Sequence, residues 1–124
     1  ILDKKISRLV IDSITSFALL FDNELERREA ALSLFNLIGK WNCTALLTLE
    51  GKPTEGEQAT SKALEFESDS IIILYFQRVG AERGRYLEVI KMRGTKHSKK
   101  LYRFEIGKRG ITISKRPTNI QVRL

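Results

Sequence analysis

One cysteine, one methionine, one tryptophan, one histidine and two prolines occur in 124 residues. Each shortage closes off a class of protein. Cys43 alone cannot form an intramolecular disulfide and has no thiolate partner for a structural metal, which points to a reducing, cytoplasmic setting rather than to secretion. No apolar run approaches the roughly 20 residues that span a bilayer, so no membrane partner is expected. No basic segment precedes a short hydrophobic stretch, although the chain begins at Ile1 rather than Met. The phosphate-cradling pattern G-x-x-x-x-G-K-[ST] is absent, and Gly80, Gly84 and Gly94 are not followed by the required Lys and hydroxyl pair. The length suits one domain and falls short of a nucleotide-hydrolysing domain complete with that loop.

What is present is a globular balance of 42% hydrophobic and 30% charged residues, with no repeat or biased tract. The net charge of +7 hides an uneven distribution. Residues 1–69 hold 8 basic and 12 acidic side chains, net −4, whereas residues 70–124 hold 14 basic and 3 acidic, net +11. Such a field draws nucleotide phosphates, nucleic acid or acidic protein surfaces, and it is equally what a solvated basic face would show.

Arg8, Leu9, Val10 and Ile11 form a short run closed by Asp12 and Ser13, the pattern of a buried parallel strand ending at a functional edge. Asp22 or Asn23 can cap a helix carrying Glu24 and Glu26 in its first turn. Ala31, Leu34, Phe35, Ile38 and Trp41 recur at offsets of three and four, so this helix lays one apolar stripe on a sheet, and Gly39 and Asn42 stop it. Thr44–Leu49 is a second strand, and strand, helix and strand make a parallel crossover. A loop over 50–58, a short helix over 59–66 and a third buried strand over 70–76 follow. After a turn at Gly80–Gly84, strands over 86–93, 101–106 and 111–114 read as antiparallel hairpins. The fold class is α/β: a partial parallel sheet with helices, finished by an antiparallel meander.

Two segments carry chemistry. An apolar strand ending in Asp12 is what a nucleotide-binding sheet uses to hold a carboxylate near Mg²⁺, usually through the ion's water shell. Asp also ends many strands simply because it caps the next turn. In Lys91-Met92-Arg93-Gly94-Thr95-Lys96-His97-Ser98, strand alternation places Lys91 and Arg93 on one face before Gly94 turns the chain. An ammonium, a guanidinium fork, a hydroxyl and an imidazole then lie within a few residues, which suits a polyphosphate better than a single carboxylate. Taken alone, His97 also fits an exposed turn.

These segments, with Thr44–Glu50, Asp69–Leu74, Phe104-Glu105-Ile106 and Gly110-Ile111, resemble in order and spacing the C-terminal half of a KaiC-like domain in the RecA/RadA ATPase superfamily. The resemblance covers nearly the whole chain, and Lys-Met-Arg-Gly-Thr-x-His is close to a signature. It implies one partial domain over 1–124, running from the Walker B strand to the C-terminal hairpins. Asp12 would be the Walker B aspartate, helping to hold Mg²⁺, and Glu50 would end the sensor strand; both face the subunit's own nucleotide. Lys91, Met92, Arg93, Thr95 and His97 would reach across a subunit boundary to ATP on the neighbour, with Lys91 and Arg93 near its γ-phosphate.

Three departures qualify the resemblance. The family's phosphate loop and catalytic glutamates precede the Walker B strand, so this chain alone is not expected to hydrolyse ATP, and no catalytic residue is assigned to it. The Ser-Thr pair phosphorylated in the clock protein of the family is matched by Glu65-Phe66, so clock-type autophosphorylation is not implied. A threonine and an aspartate near the nucleotide are matched by Gly107 and Lys108, and their role is not carried over. The expected parent is an ATP- and Mg²⁺-using ATPase acting as a ring or filament. A naturally truncated regulatory or binding homologue is the alternative. DNA binding ranks third, since the loop over Glu50–Lys62 has net charge −1. A chain starting at Ile1 would leave the edge of Arg8–Asp12 bare, which predicts a homo-oligomer, a dimer or higher.

Overall fold

In the computed structural model, which describes residues 5–50 and 64–122, the chain divides into a first unit, Ile1–Ser68, and a second, Asp69–Leu124. The first unit is built on β1 (Arg8–Ile11), α1 (Ile14–Ala18), α2 (Glu24–Lys40) and β2 (Thr44–Leu47). The apolar runs pair in parallel from Arg8↔Thr44 to Ile11↔Leu47. Parallel neighbours cannot be joined by a tight turn, so the intervening chain must cross over, and α2 is the crossover. Asn23 caps it by accepting the Glu26 amide at 2.9 Å. Glu24 and Glu26 lie at the positive end of its dipole and Lys40 at the negative end. The expected stripe is there: Ala31 is buried, and Leu34, Phe35, Ile38 and Trp41 are half-buried.

Two features of this unit differ from expectation. The short helix α1 forms between Ser13 and the start of α2, where the sequence predicts no element; Ser13 caps it, accepting the Ser16 amide at 3.4 Å, and Ile14 is 2% exposed. The parallel pair is not covered on both faces among the described residues: Leu9, Ile11, Ala45 and Leu47 are half-buried, whereas Val10 and Leu46, opposite one another, are exposed. The loop over 51–58 and the start of the helix expected over 59–66 lie outside the described residues; Leu64–Glu67 forms a helical turn.

The second unit is a four-stranded antiparallel sheet in the order β3 (Ser70–Val79), β4 (Glu82–Met92), β5 (Tyr102–Gly107) and β6 (Gly110–Ile113). The strand over 70–76 therefore extends to Val79 and joins the meander rather than the parallel pair. Ile72, Leu74 and Phe76 are exposed instead of buried. The anticipated turn at Gly80–Gly84 shrinks to Gly80 and Ala81, with Gly80 at φ +62°. A left-handed residue here is what a two-residue hairpin requires. Gly84 lies inside β4, and a β-carbon there would run into the Tyr86 ring. Tyr75, Tyr86 and Leu101 form the core with half-buried Ile73, Val79, Ile120 and Val122. The tail that brings Ile120 and Val122 is tied down by Thr118 N–H to the Leu101 carbonyl at 2.9 Å and by the Gln77 side-chain amide to the Gln121 carbonyl at 3.0 Å.

Candidate functional site

At the carboxyl ends of β1 and β2 the parallel ladder continues beyond the strands. The Thr48 amide donates to the Ile11 carbonyl at 3.0 Å, and the Ile14 amide donates to the Thr48 carbonyl at 2.8 Å. This register sets Thr48 beside Asp12, and the Thr48 hydroxyl donates to Asp12 Oδ1 at 2.6 Å. A second hydroxyl, Thr15 Oγ1, accepts the Glu50 amide at 3.0 Å. Asp12 is exposed, and the peptide joining it to Ser13 is cis. Asp12 and the Glu50 backbone are thus fastened at one sheet edge by Thr48 and Thr15. Neither threonine was singled out by the sequence reading; the β-prone run Thr44–Leu49 contained the only signal for Thr48.

The cationic motif occupies the end of β4 and the turn after it. Met92 pairs with Ser70 and Lys91 with Ile71, next to a register shift between Ile71 and Ile72. The strand ends at Met92, so Arg93 stands in the turn, one residue beyond the anticipated alternation. Asp69 fixes it twice, taking the Arg93 amide on its carbonyl at 2.8 Å and Nη1 on Oδ1 at 3.1 Å. Gly94 turns the chain at φ +67°, and the Thr95 amide returns to the Met92 carbonyl at 3.3 Å. His97 Nδ1 lies 3.0 Å from the Ser98 carbonyl, the geometry of an Nδ1–H donor. Lys91, Met92, Arg93, Thr95 and His97 are therefore brought together, with Arg93 and Thr95 exposed and the others half-buried. In the sequence Asp69 stands only as the first residue of the segment Asp69–Leu74; nothing there signals its role in holding Arg93.

Elsewhere in the second unit, Arg83 and Arg85 lie over the Phe76 ring, 5.6 and 4.8 Å from its centroid. Burial, followed by the hydrogen bond and negative charge of Glu88, pushes the Tyr75 phenol up to about 12. Among the described residues, no three His, Cys, Asp or Glu side chains converge to cage a metal ion. No helix among them is long and apolar enough to cross a membrane.

Comparison with known proteins bears on both segments. The family model for the KaiC ATPase matches residues 1–118. The circadian clock oscillator protein KaiC of Synechococcus elongatus is 37% identical over 110 residues, 86% of this chain and 20% of that protein. Its counterpart in Parasynechococcus marenigrum is 33% identical over 109 residues, 88% of this chain and 21% of that one. The crystal structure of a KaiC-like protein from the hyperthermophilic archaeon Pyrococcus horikoshii OT3 superposes with a TM-score of 0.73 at 38% identity, covering 87% of this chain and 49% of that chain. The chain spans about a fifth of the clock proteins and about half of the archaeal one. With an α/β architecture, an aspartate ending its first parallel strand and a Lys-Met-Arg-Gly-Thr-x-His turn, the chain belongs to the KaiC ATPase family of the RecA superfamily.

Proposed function

We propose that the chain supplies two separate parts of an ATP site in an oligomeric KaiC-like ATPase, and that both units belong to one domain of that protein. The observation that carries the first part is the short Thr48–Asp12 hydrogen bond at the carboxyl edge of a parallel strand pair, where ligands of open α/β sheets bind. The donor set fits Mg²⁺ held through water. The ion keeps several waters and needs only one or two protein carboxylates beside substrate phosphates, and Asp12 is a single exposed carboxylate whose other oxygen is not taken by Thr48. When bound, Mg²⁺ neutralises phosphate charge. Thr48 orients the carboxylate, and the Thr15 bonds hold Glu50 at the same edge.

The second part acts on the neighbour's nucleotide. Lys91, Arg93 and Thr95 offer donors to phosphate oxygens, and Met92 and His97 belong to the same segment facing the neighbour. Arg93 stabilises developing phosphoryl charge, and Asp69 keeps its guanidinium in place until that charge is present. The phosphate loop is supplied outside these 124 residues, so catalysis belongs to the assembly. In a hydrolytically active assembly, Arg93→Ala lowers kcat by about 10³-fold or more while changing nucleotide affinity far less. Single-turnover kinetics with direct ATP-binding measurements test this. An equal loss in affinity and no loss in the chemical step would refute it.

A further inference from the structure

The face of the antiparallel sheet that carries Tyr75 and Tyr86 opens, toward the β3–β4 turn, into a recess of about 240 Å³. Alternation along β4 sets Glu82, Gly84 and Tyr86 on that face. Val79 stands opposite Glu82, and Arg103 stands opposite Tyr86. Ile120, on the tail secured through Thr118 and Gln121, completes the wall. Arg83 also borders the recess, but its guanidinium lies over the Phe76 ring, 5.6 Å from the centroid.

Tyr86 is 2% exposed, and its hydroxyl has no hydrogen-bond partner among the described residues. A buried phenol ordinarily has one. The ring folds back along its own strand, so the hydroxyl lies over Gly84, where a β-carbon would collide with it. Gly84 lines the recess, and the unpartnered O–H is therefore aimed into it. Two charged side chains flank this donor. Arg103 reaches Glu105 at 3.5 Å, longer than an ordinary hydrogen bond, and its fork keeps donors for a ligand. Glu82 is exposed and makes no ion pair among the described residues. It stands two residues, roughly 7 Å, along the strand from Gly84.

We propose that this recess binds a small zwitterion of the α-amino-acid type. The carboxylate accepts the Tyr86 O–H and an Arg103 N–H, the ammonium faces Glu82, and a short aliphatic side chain lies against Val79 and Ile120. A simple carboxylate is disfavoured because Glu82 repels it. A simple amine is disfavoured because Arg103 repels it and offers it no acceptor. The volume falls below the roughly 300 Å³ at which sites for drug-sized ligands begin, which leaves no room for a nucleotide. The site shares no residue with either set assigned to nucleotide and does not rest on those assignments.

The test is saturation-transfer NMR of the full 124-residue chain titrated with L-valine and read on the valine methyl signals. Saturation with a Kd on the order of 1 mM is expected of so small a ligand. Isovalerate, which lacks the ammonium, and isobutylamine, which lacks the carboxylate, each bind about tenfold or more weakly. Tyr86→Phe keeps the ring and lowers affinity for L-valine about tenfold or more, the loss of one hydrogen bond to a charged group. Glu82→Gln, at an exposed position, lowers it about fivefold or more and narrows the gap to isovalerate. Arg85→Ala removes a guanidinium 4.8 Å from the Phe76 centroid, on the opposite face of the sheet, and leaves affinity within about twofold of the unaltered chain. Far-ultraviolet circular dichroism checks that each variant is folded. No saturation up to about 20 mM L-valine, the result if water alone fills the recess, would overturn the proposal. So would isovalerate or isobutylamine binding as tightly as L-valine, or undiminished affinity in Tyr86→Phe or Glu82→Gln.

Discussion

Ile1–Ser68 pairs two four-residue strands in parallel across a 17-residue helix, whereas Asp69–Leu124 pairs ten successive positions around a two-residue turn. Their charges differ as much as their topologies, net −3 against net +10. A parallel pair closes only when a distant segment returns, so the first unit depends on tertiary packing around Ile14 and Ala31, each 2% exposed. A hairpin closes locally, and the second unit adds buried tyrosines to a long ladder whose register shifts between Ile71 and Ile72. The candidate sites follow the same division. Hydroxyls fasten a carboxylate between two strand ends in the first unit, while backbone turns hold cations at a strand end in the second.

Trp41 is the sole tryptophan and lies in the first unit; Tyr75, Tyr86 and Tyr102 all lie in the second. Each unit therefore carries its own optical probe. Ile14→Ala removes a buried side chain and is expected to cost about 2–5 kcal/mol, read as an earlier denaturant midpoint for Trp41 fluorescence. Gly84→Ala pushes a β-carbon into the buried Tyr86 ring and is expected to cost about 1–3 kcal/mol, read from tyrosine near-ultraviolet dichroism. If both probes shift together by equal amounts in both variants, the two units unfold as one and the comparison breaks.

The next effect belongs to the second unit alone. Tyr75 is pushed up to about 12 in the folded chain, above the ordinary tyrosine value of about 10. The neutral phenol is thus favoured by folding, and its contribution to stability is complete below pH 10 and lost as pH rises through 12. Alkaline absorbance titration should show a late tyrosinate component that disappears in Tyr75→Phe and moves down in Glu88→Gln. A titration with no component above pH 11 would contradict the Tyr75–Glu88 geometry. The smallest effect is that of Asp69→Asn. The ion pair with Arg93 is exposed on both sides, so its loss should cost no more than about 1 kcal/mol in the same unfolding measurement. A larger loss would show that Asp69 holds the sheet end and not merely the arginine.

The sequence made much of this legible where the signal is local. The apolar run Leu9–Ile11, the stripe from Ala31 to Trp41 and the capping asparagine each show directly in residue order, and so does the glycine-punctuated meander. The pairing of Thr48 with Asp12 does not, because 36 residues separate them and the contact exists only once Ile11 is set opposite Leu47. The link between Asp69 and Arg93 crosses 24 residues and depends on the register of a long hairpin. The run Ile71–Leu74 reads as a strand buried on both faces, but an apolar run does not name its partner. Its partner is antiparallel, and alternation leaves Ile72 and Leu74 exposed. Helix α1, five residues long, is too short to show a period.

Under the function proposed above, Asp12 serves the subunit's own nucleotide while Arg93 serves its neighbour's. Mixing an Asp12→Asn variant with an Arg93→Ala variant of the hydrolytically active assembly, each expected to be inactive alone, and measuring ATP turnover separates this division from action on one nucleotide. Random co-assembly at equal amounts leaves both residues intact at about one boundary in four, so turnover is expected to recover to about a quarter of the unmodified rate. Turnover no higher than that of either variant alone, with co-assembly demonstrated by tagged pull-down, would show that the two residues act on the same subunit's nucleotide and would contradict it.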